Sequence, residues 1–95
     1  MIEHIVMYKL KDRTKENAQI LQAKFLSMKG KIDVLKDIKA GVDFLASPRS
    51  YDVVLQCEFE TKEDMQTYSQ HPVHLPIMAY VKSVVDESHS VDYEL

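Results

Sequence analysis

The chain has 95 residues, of which 45% are hydrophobic and 28% are charged. This composition excludes intrinsic disorder and fibrous structure, and it predicts a single domain over residues 1–95, because compact units rarely divide below about 100 residues. The net charge of −3 offers no basic surface for phosphates. We therefore expect no nucleic-acid partner and no attraction to anionic membranes.

The single cysteine and the absence of long apolar runs indicate the compartment. Cys57 has no second cysteine with which to form an internal disulfide, so a reducing, cytoplasmic location is the simpler expectation. No segment approaches the roughly 18 apolar residues of a membrane span, and the first residues lack the pattern of a signal peptide. We therefore expect no membrane association.

The first half of the chain predicts a strand, a helix and a second strand. Ile2–Leu10 is apolar and β-rich, and both of its faces call for cover. Thr14 precedes an apolar stripe with helical spacing, which Gly30 ends. The stripe consists of Ala18, Leu21, Phe25 and Met28. Asp37–Phe44 then alternates apolar and polar residues, which is typical of a strand with one wetter face.

A short loop and a third strand follow. Residues 45–50 contain Pro48 and form the clearest loop. Tyr51–Glu60 alternates apolar and polar residues along its length and predicts a strand. Because the connection is short, the second and third strands are expected to form an antiparallel hairpin.

The last third predicts a broken helix and a final strand. The sequence of residues 61–64 resembles a capping box with Asp in the last position, so it opens a helix. This helix must end near His71, because Pro72 disfavours helical geometry in the residue before it. A second helical segment begins at Pro72 and continues to about Val85. Glu87–Tyr93 closes the chain as a strand.

The order β, α, β, β, α, β predicts an α+β fold, the ferredoxin-like arrangement with a four-stranded antiparallel sheet. In this fold both helices cover one sheet face and leave the other open. On our assignment, the open face carries His4, Val6, Tyr8 and Val54. An exposed apolar sheet face requires a partner, so we expect a homodimer that pairs through this face.

The most informative local sequence is residues 68–74, Tyr-Ser-Gln-His-Pro-Val-His. Together with residues 3–11, 38–43, 58–61 and 91–93, it makes the chain resemble the stress-responsive dimeric A/B barrel (Dabb) family over nearly its whole length. The resemblance implies a ferredoxin-like protomer that pairs with a second copy as a dimeric α/β barrel. It implies no cofactor, and most members of the family have no established activity.

One plant branch of the family is a cofactor-free polyketide cyclase, and this similarity implies candidate roles. His74 matches the base, Tyr68 the residue that assists it, and His4 a residue of the pocket. Histidine suits a base because its reference pKa of about 6.5 leaves it neutral near pH 7. The remaining candidates for the pocket or the motif are His71, Pro72, Tyr8 and Val6.

Two functions follow as hypotheses. The first is a homodimer that binds a small hydrophobic ligand, and the second is a cofactor-free lyase, isomerase or cyclase. A third class, a stress-protective oligomer with a filled interior, predicts no ligand cavity.

Structural roles for the same residues compete with the functional ones. His71 can cap the helix that follows it, and His74 can donate to a strand carbonyl, so that the motif is only a corner between elements. Tyr68 can be a core aromatic residue, and His4 can pack at the dimer seam.

A metal site is a weaker alternative. His71 and His74, with Glu58 or His4, contain suitable ligand atoms, but the proline between the two histidines disrupts helical placement. We expect no metal. Cys57 lies in line with apolar residues and is expected to be a small buried hydrophobe rather than a nucleophile.

Overall fold

The computed structural model describes residues 1–95 and has the expected ferredoxin-like α+β fold. The elements are β1 (Ile2–Leu10), α1 (Lys15–Leu26), β2 (Asp37–Val42), β3 (Val53–Phe59), α2 (Lys62–Ser69), α3 (His74–Val84) and β4 (Val85–Glu94). The four strands form one antiparallel sheet in the order β2-β3-β1-β4. None of the three helices is long and apolar enough to cross a membrane.

Helices α1 and α2 each begin after a residue whose side chain satisfies a free backbone N–H group. Thr14 accepts a hydrogen bond from the backbone N–H of Asn17 at the start of α1. Thr61 accepts one from Asp64 in the same way at the start of α2. The predicted break at Pro72 is confirmed, although α3 begins two residues beyond it. Caps of this kind typically contribute about 1 kcal/mol each.

Several elements end earlier or begin sooner than predicted. Helix α1 stops at Leu26, and Gly30 instead supplies a positive φ of 77° in the turn that follows. Strand β2 ends at Val42, which is its last residue that pairs with β3. Phe44 therefore lies outside the sheet and is 95% exposed. Strand β4 already begins at Val85, directly after α3. The limits of the two strands follow from strand pairing, which cannot be deduced from the local alternation of apolar and polar residues.

The core lies between the helices and one face of the sheet. Its apolar residues come from α1, from the turns after it, from alternate positions of β1 and β3, and singly from β2, α2 and α3. The most deeply buried include Leu21, Phe25, Met28, Leu55, Cys57 and Phe59. The burial of Cys57 confirms its prediction as a small hydrophobe.

The predicted composition of the open face is wrong for three of its four residues. Paired residues of antiparallel strands point to the same side of a sheet, and Val6 is paired with the buried Leu55. His4 and Tyr8 share the side of Val6, so all three face the helices. Of the predicted set, only Val54 lies on the open face. Because β1 is apolar on both sides, its alternation could not show which side the helices cover.

The open face nevertheless contains an apolar centre. Val54 is paired with Met7 of β1, and Ile5 is paired with Val91 of β4. Met7 is 44% exposed and Val91 is 55% exposed. Charged residues lie toward the ends of the same face, including Glu3, Lys9, Glu58 and Glu87. The protomer therefore exposes adjacent apolar side chains on a sheet face without helices.

Candidate functional site

A cavity of about 340 Å³ lies on the helix side of the sheet, between β1 and the two C-terminal helices. It is lined by five residues singled out in the sequence, namely His4, Val6, Tyr8, Tyr68 and His74. The remaining wall includes Leu55, Met65, Gln66, Ser69, Met78, Ser88 and Ser90. The structure thus brings the candidate catalytic residues and two of the four further candidates to one cavity.

The position of His74 follows from the corner between α2 and α3. Helix α2 ends at Ser69, and the backbone carbonyls of a last helical turn have no partner within the helix. The Nδ1 atom of His74 lies 3.1 Å from the Ser69 carbonyl oxygen. Because a carbonyl can only accept, Nδ1 carries the proton and donates it, which leaves the lone pair of the neutral ring on Nε2.

The free Nε2 atom of His74 faces the cavity. His74 is only 6% exposed, yet no fully buried side-chain nitrogen or oxygen of the protein lacks a hydrogen-bond partner. Nε2 must therefore reach the cavity surface. Burial lowers the pKa of His74, the bond to Ser69 opposes that change, and the nearby His4 and His71 lower the pKa further. The ring is therefore a neutral acceptor at pH 7.

Tyr68 lies between the two histidines of the cavity. Its ring centroid is 4.2 Å from that of His74 and 6.4 Å from that of His4. The Cys57 thiol makes a weak contact with the Tyr68 hydroxyl oxygen at 3.9 Å. Burial raises the pKa of Tyr68, and the neighbouring Cys57 raises it further. Tyr68 is therefore a neutral phenol that can donate a hydrogen bond to a ligand oxygen.

Asp92 is a site residue that the sequence did not reveal. It is the β4 partner of His4, and its carboxylate accepts a hydrogen bond from Nδ1 of His4. The pair fixes the orientation of the His4 ring beside Tyr68. The two residues are 88 positions apart, and only the register between β1 and β4 brings them together. No local sequence motif indicates this pair.

His71 and Pro72 do not line the cavity, and they form the corner outside it. The Nδ1 atom of His71 accepts a hydrogen bond of 3.0 Å from the backbone N–H of Val73. The bond stabilises the corner before α3, but α3 itself has no side-chain cap, so the predicted capping role of His71 is not met. The structural alternative for His74 is that it donates a hydrogen bond to a strand carbonyl. His74 does donate to a carbonyl, but that carbonyl belongs to helix α2 and not to a strand.

The remaining chemical candidates have little support. No group of three or more His, Cys, Asp or Glu side chains is placed to hold a metal ion. Burial raises the pKa of the Cys57 thiol to about 12, so this residue is protonated at neutral pH and is not a reactive nucleophile.

Comparison with known families and sequences gives a consistent assignment. The family model described as "Stress responsive A/B Barrel Domain" matches residues 2–95. A stress-response A/B barrel domain-containing protein of Arabidopsis thaliana is 27% identical over 95 residues, which cover 98% of this chain. The match covers 36% of that protein, so the chain spans about a third of the length of this curated relative.

Solved structures with the same fold include proteins described as dimeric. One, from Bacteroides fragilis, is a dimeric protein of unknown function with a TM-score of 0.81 and 26% identity, covering 99% of this chain and 95% of the other. Another, from Thermobifida fusca, has a TM-score of 0.87 and 20% identity, covering 99% and 90%. The hydroxynitrile lyase of Passiflora edulis has a TM-score of 0.82 and 16% identity, covering 99% and 92%.

The lowered pKa of His74 predicts that the protein gains stability as the pH rises through about 6.5. Below that pH the unfolded chain takes up a proton at His74 that the folded chain resists, so folding is opposed. The opposition disappears once both states are neutral. Urea denaturation on both sides of this pH should therefore show a smaller rise in unfolding free energy for His74→Asn than for the unsubstituted protein.

The asparagine in this variant retains an N–H group for the Ser69 carbonyl but does not titrate, which separates the proton from the hydrogen bond. Ser83→Asn is the control, since Ser83 lies on the exposed side of α3, away from both the cavity and the open face, and this variant should keep the full pH dependence. The same pH dependence in His74→Asn as in the unsubstituted protein would contradict the lowered pKa.

Proposed function

Because the chain belongs to the stress-responsive A/B barrel domain family, we propose that it acts as a homodimer in which each protomer binds a small, largely apolar molecule with a polar group. The observation that carries this proposal is the free Nε2 of His74 on the surface of an otherwise mainly apolar cavity. We place this function in the cytoplasm, since the protein's one thiol is unpaired and buried.

The shape and chemistry of the cavity suit a small ligand. Its volume of about 340 Å³ is within the usual range of small-molecule sites. Val6, Leu55 and Met78 provide apolar contacts, while Tyr68 and His74 provide a donor and an acceptor. Half of the twelve lining residues are hydrophobic, and the polar ones, such as Gln66 and Ser90, offer further hydrogen-bond partners. A cavity of this size favours ligand binding over the stress-protective alternative, which predicts a filled interior.

The open sheet face supports the dimer. Ile5, Met7, Val54 and Val91 are neighbours on this face and have no cover within the protomer. Pairing with the same face of a second copy about a two-fold axis buries them all at once. The solved relatives described as dimeric agree with this arrangement.

A second candidate function is cofactor-free proton transfer. His74 is neutral and its Nε2 is unpartnered, so it can remove a proton from a carbon next to a ligand carbonyl. The Tyr68 hydroxyl can donate to the carbonyl oxygen as it becomes an enolate oxygen. The imidazolium formed at His74 can then return the proton to the product, so the step balances without a cofactor. The shared fold of a hydroxynitrile lyase agrees with an enzyme but does not identify the reaction.

The dimer proposal predicts that Met7→Lys produces a folded monomer. The substitution places a charge at the centre of the open face, where a dimer would bury it without a partner. Sedimentation velocity at micromolar concentration measures the change. Ile20→Lys is the matched control, because Ile20 is 46% exposed but lies on helix α1. A monomeric unsubstituted protein under these conditions would refute the dimer.

The ligand proposal predicts that acetophenone, a compact apolar ketone, binds in the cavity. Backbone amide shifts measured by NMR titration should change most at residues of the cavity wall, such as Val6, Leu55 and Met78. Ser90→Phe should weaken binding at least tenfold, because it fills the cavity from an exposed position on β4 without disturbing the core. Ser83→Phe, on the exposed side of α3, is the control. Shift changes confined to other surfaces would exclude this site.

The proton-transfer candidate predicts that the protein speeds the exchange of acetophenone methyl protons for deuterium in D₂O. His74→Asn should reduce the catalysed rate by roughly a hundredfold or more, as expected for loss of a general base. Ser83→Phe, on the exposed side of α3, should leave the rate unchanged. Binding of acetophenone without any catalysed exchange would reject the enzyme candidate and leave the binding function intact.

A further inference from the structure

The loop between β2 and β3 holds an aromatic side chain almost entirely in solvent. Phe44 is 95% exposed, more than any other large hydrophobic residue of the protein, and the adjacent Leu45 is 67% exposed. Scattered apolar residues are normal on a protein surface, but two neighbours at the tip of a loop form a patch. Because Phe44 makes almost no contact within the protomer, it adds nothing to the protomer's own core.

Hydrogen bonds at the base of the loop hold Phe44 in place. The backbone N–H of Asp43 donates to the carbonyl of Asp52 at 3.0 Å, which closes the base. The carboxylate of Asp43 accepts a hydrogen bond of 2.8 Å from the backbone N–H of Ala46. Ala46 has a positive φ of 53°, which is uncommon for a residue other than glycine. A loop that is already ordered loses little entropy when its apolar tip is covered.

The apolar surface continues from Phe44 onto the open face of the sheet. A hollow of about 290 Å³ lies there, and its wall includes Met7, Gly41, Val54 and Phe44. Gly41 is paired with Val54, and the first atom of a side chain at position 41 would lie 3.3 Å from a methyl group of Val54. The missing side chain of Gly41 therefore keeps this hollow open beside apolar neighbours.

The other side of Phe44 is more polar. Toward α1 the ring borders a cleft of nine residues, of which four are hydrophobic and two, Arg13 and Lys15, are basic. The hollow on the open face also has nine residues, but six of them are hydrophobic and none is basic. Asp43 and Asp52 border both. Covering the basic side with an apolar surface would cost the hydration of its charges, so the open face is the better side for burying Phe44.

The open face by itself provides little apolar area for a dimer. Its apolar centre contains only Ile5, Met7, Val54 and Val91. A stable interface commonly buries about 800 Å² on each partner, and one phenylalanine ring supplies on the order of 200 Å². A second copy that covers the open face therefore gains a substantial share of its contact by extending to Phe44. Two-fold symmetry gives this gain twice, once from each copy.

We propose that Phe44 anchors the homodimer, and that each copy buries this ring against the open sheet face of the other. This inference rests on the proposed homodimer and adds the segment by which one copy recognises the next. The occupant is a second copy rather than a lipid surface, because Met7 and Val54 beside Phe44 belong to the same face that a second copy covers.

The test uses the absence of tryptophan from the protein. Phe44→Trp places a single indole at the loop tip and keeps an apolar ring there. Diluting this variant through the dissociation constant measured by sedimentation velocity should move its fluorescence to longer wavelength, as the indole passes from the interface into water. Ile20→Trp is the matched control, because Ile20 is 46% exposed on α1 and its emission should not depend on concentration. Adding Met7→Lys to Phe44→Trp should give the emission of exposed indole at every concentration.

Removal of the ring gives a second measurement. Phe44→Ser should raise the dissociation constant of the dimer at least tenfold, because both copies lose a buried aromatic side chain. The substitution should leave the urea denaturation of the Met7→Lys variant unchanged, since a ring that is 95% exposed does not support the protomer. Leu26→Ser, at a position 39% exposed on α1, is the control and should leave the dissociation constant unchanged.

The outcomes separate this inference from the homodimer on which it rests. An unchanged dissociation constant in Phe44→Ser, or an indole that stays exposed in the Phe44→Trp dimer, would overturn the role of Phe44 and leave the homodimer intact. A monomeric unsubstituted protein at micromolar concentration would refute the homodimer and this inference together. A shift of the Phe44→Trp emission that requires vesicles of phosphatidylcholine and phosphatidylserine, and not a higher protein concentration, would assign the loop to a lipid surface and overturn the proposal.

Discussion

One hydrogen bond at the end of helix α2 links the fold of this protein to its site. Pro72 prevents α2 from continuing, and the carbonyl of Ser69 then needs a donor from outside the helix. His74 supplies that donor through Nδ1. The same bond that completes the helix end therefore selects the tautomer of the imidazole and leaves Nε2 free at the cavity. The corner of the fold and the chemistry of the site have a single cause.

The cavity and the open sheet face are two results of building a small protein around one sheet. The helices close over only part of their side of the sheet, so space is left between β1, α2 and α3. On the other side, Met7 and its apolar neighbours have no cover. A chain of 95 residues has too little material to cover both faces, which makes a second copy the natural source of the missing core.

The local elements of the fold could be predicted well because each has a short-range cause. Thr14 and Thr61 are helix caps, Pro72 breaks the helical region, and β3 alternates buried and half-buried residues. His74 and Tyr68 could be singled out because they lie in one continuous motif, and the structure places them 4.2 Å apart, ring to ring. The end of β2 could not be predicted from alternation, which continues past the last residue with a partner.

The sequence by itself determined the order of the elements, the corner at Pro72 and the candidate residues of the motif, since these follow from interactions between near neighbours. Only the tertiary structure decided which side of β1 the helices cover and that Asp92 orients His4. The physical reason is that register and burial depend on contacts between distant parts of the chain. The local sequence of a strand that is apolar on both faces indicates neither its register nor which face is buried.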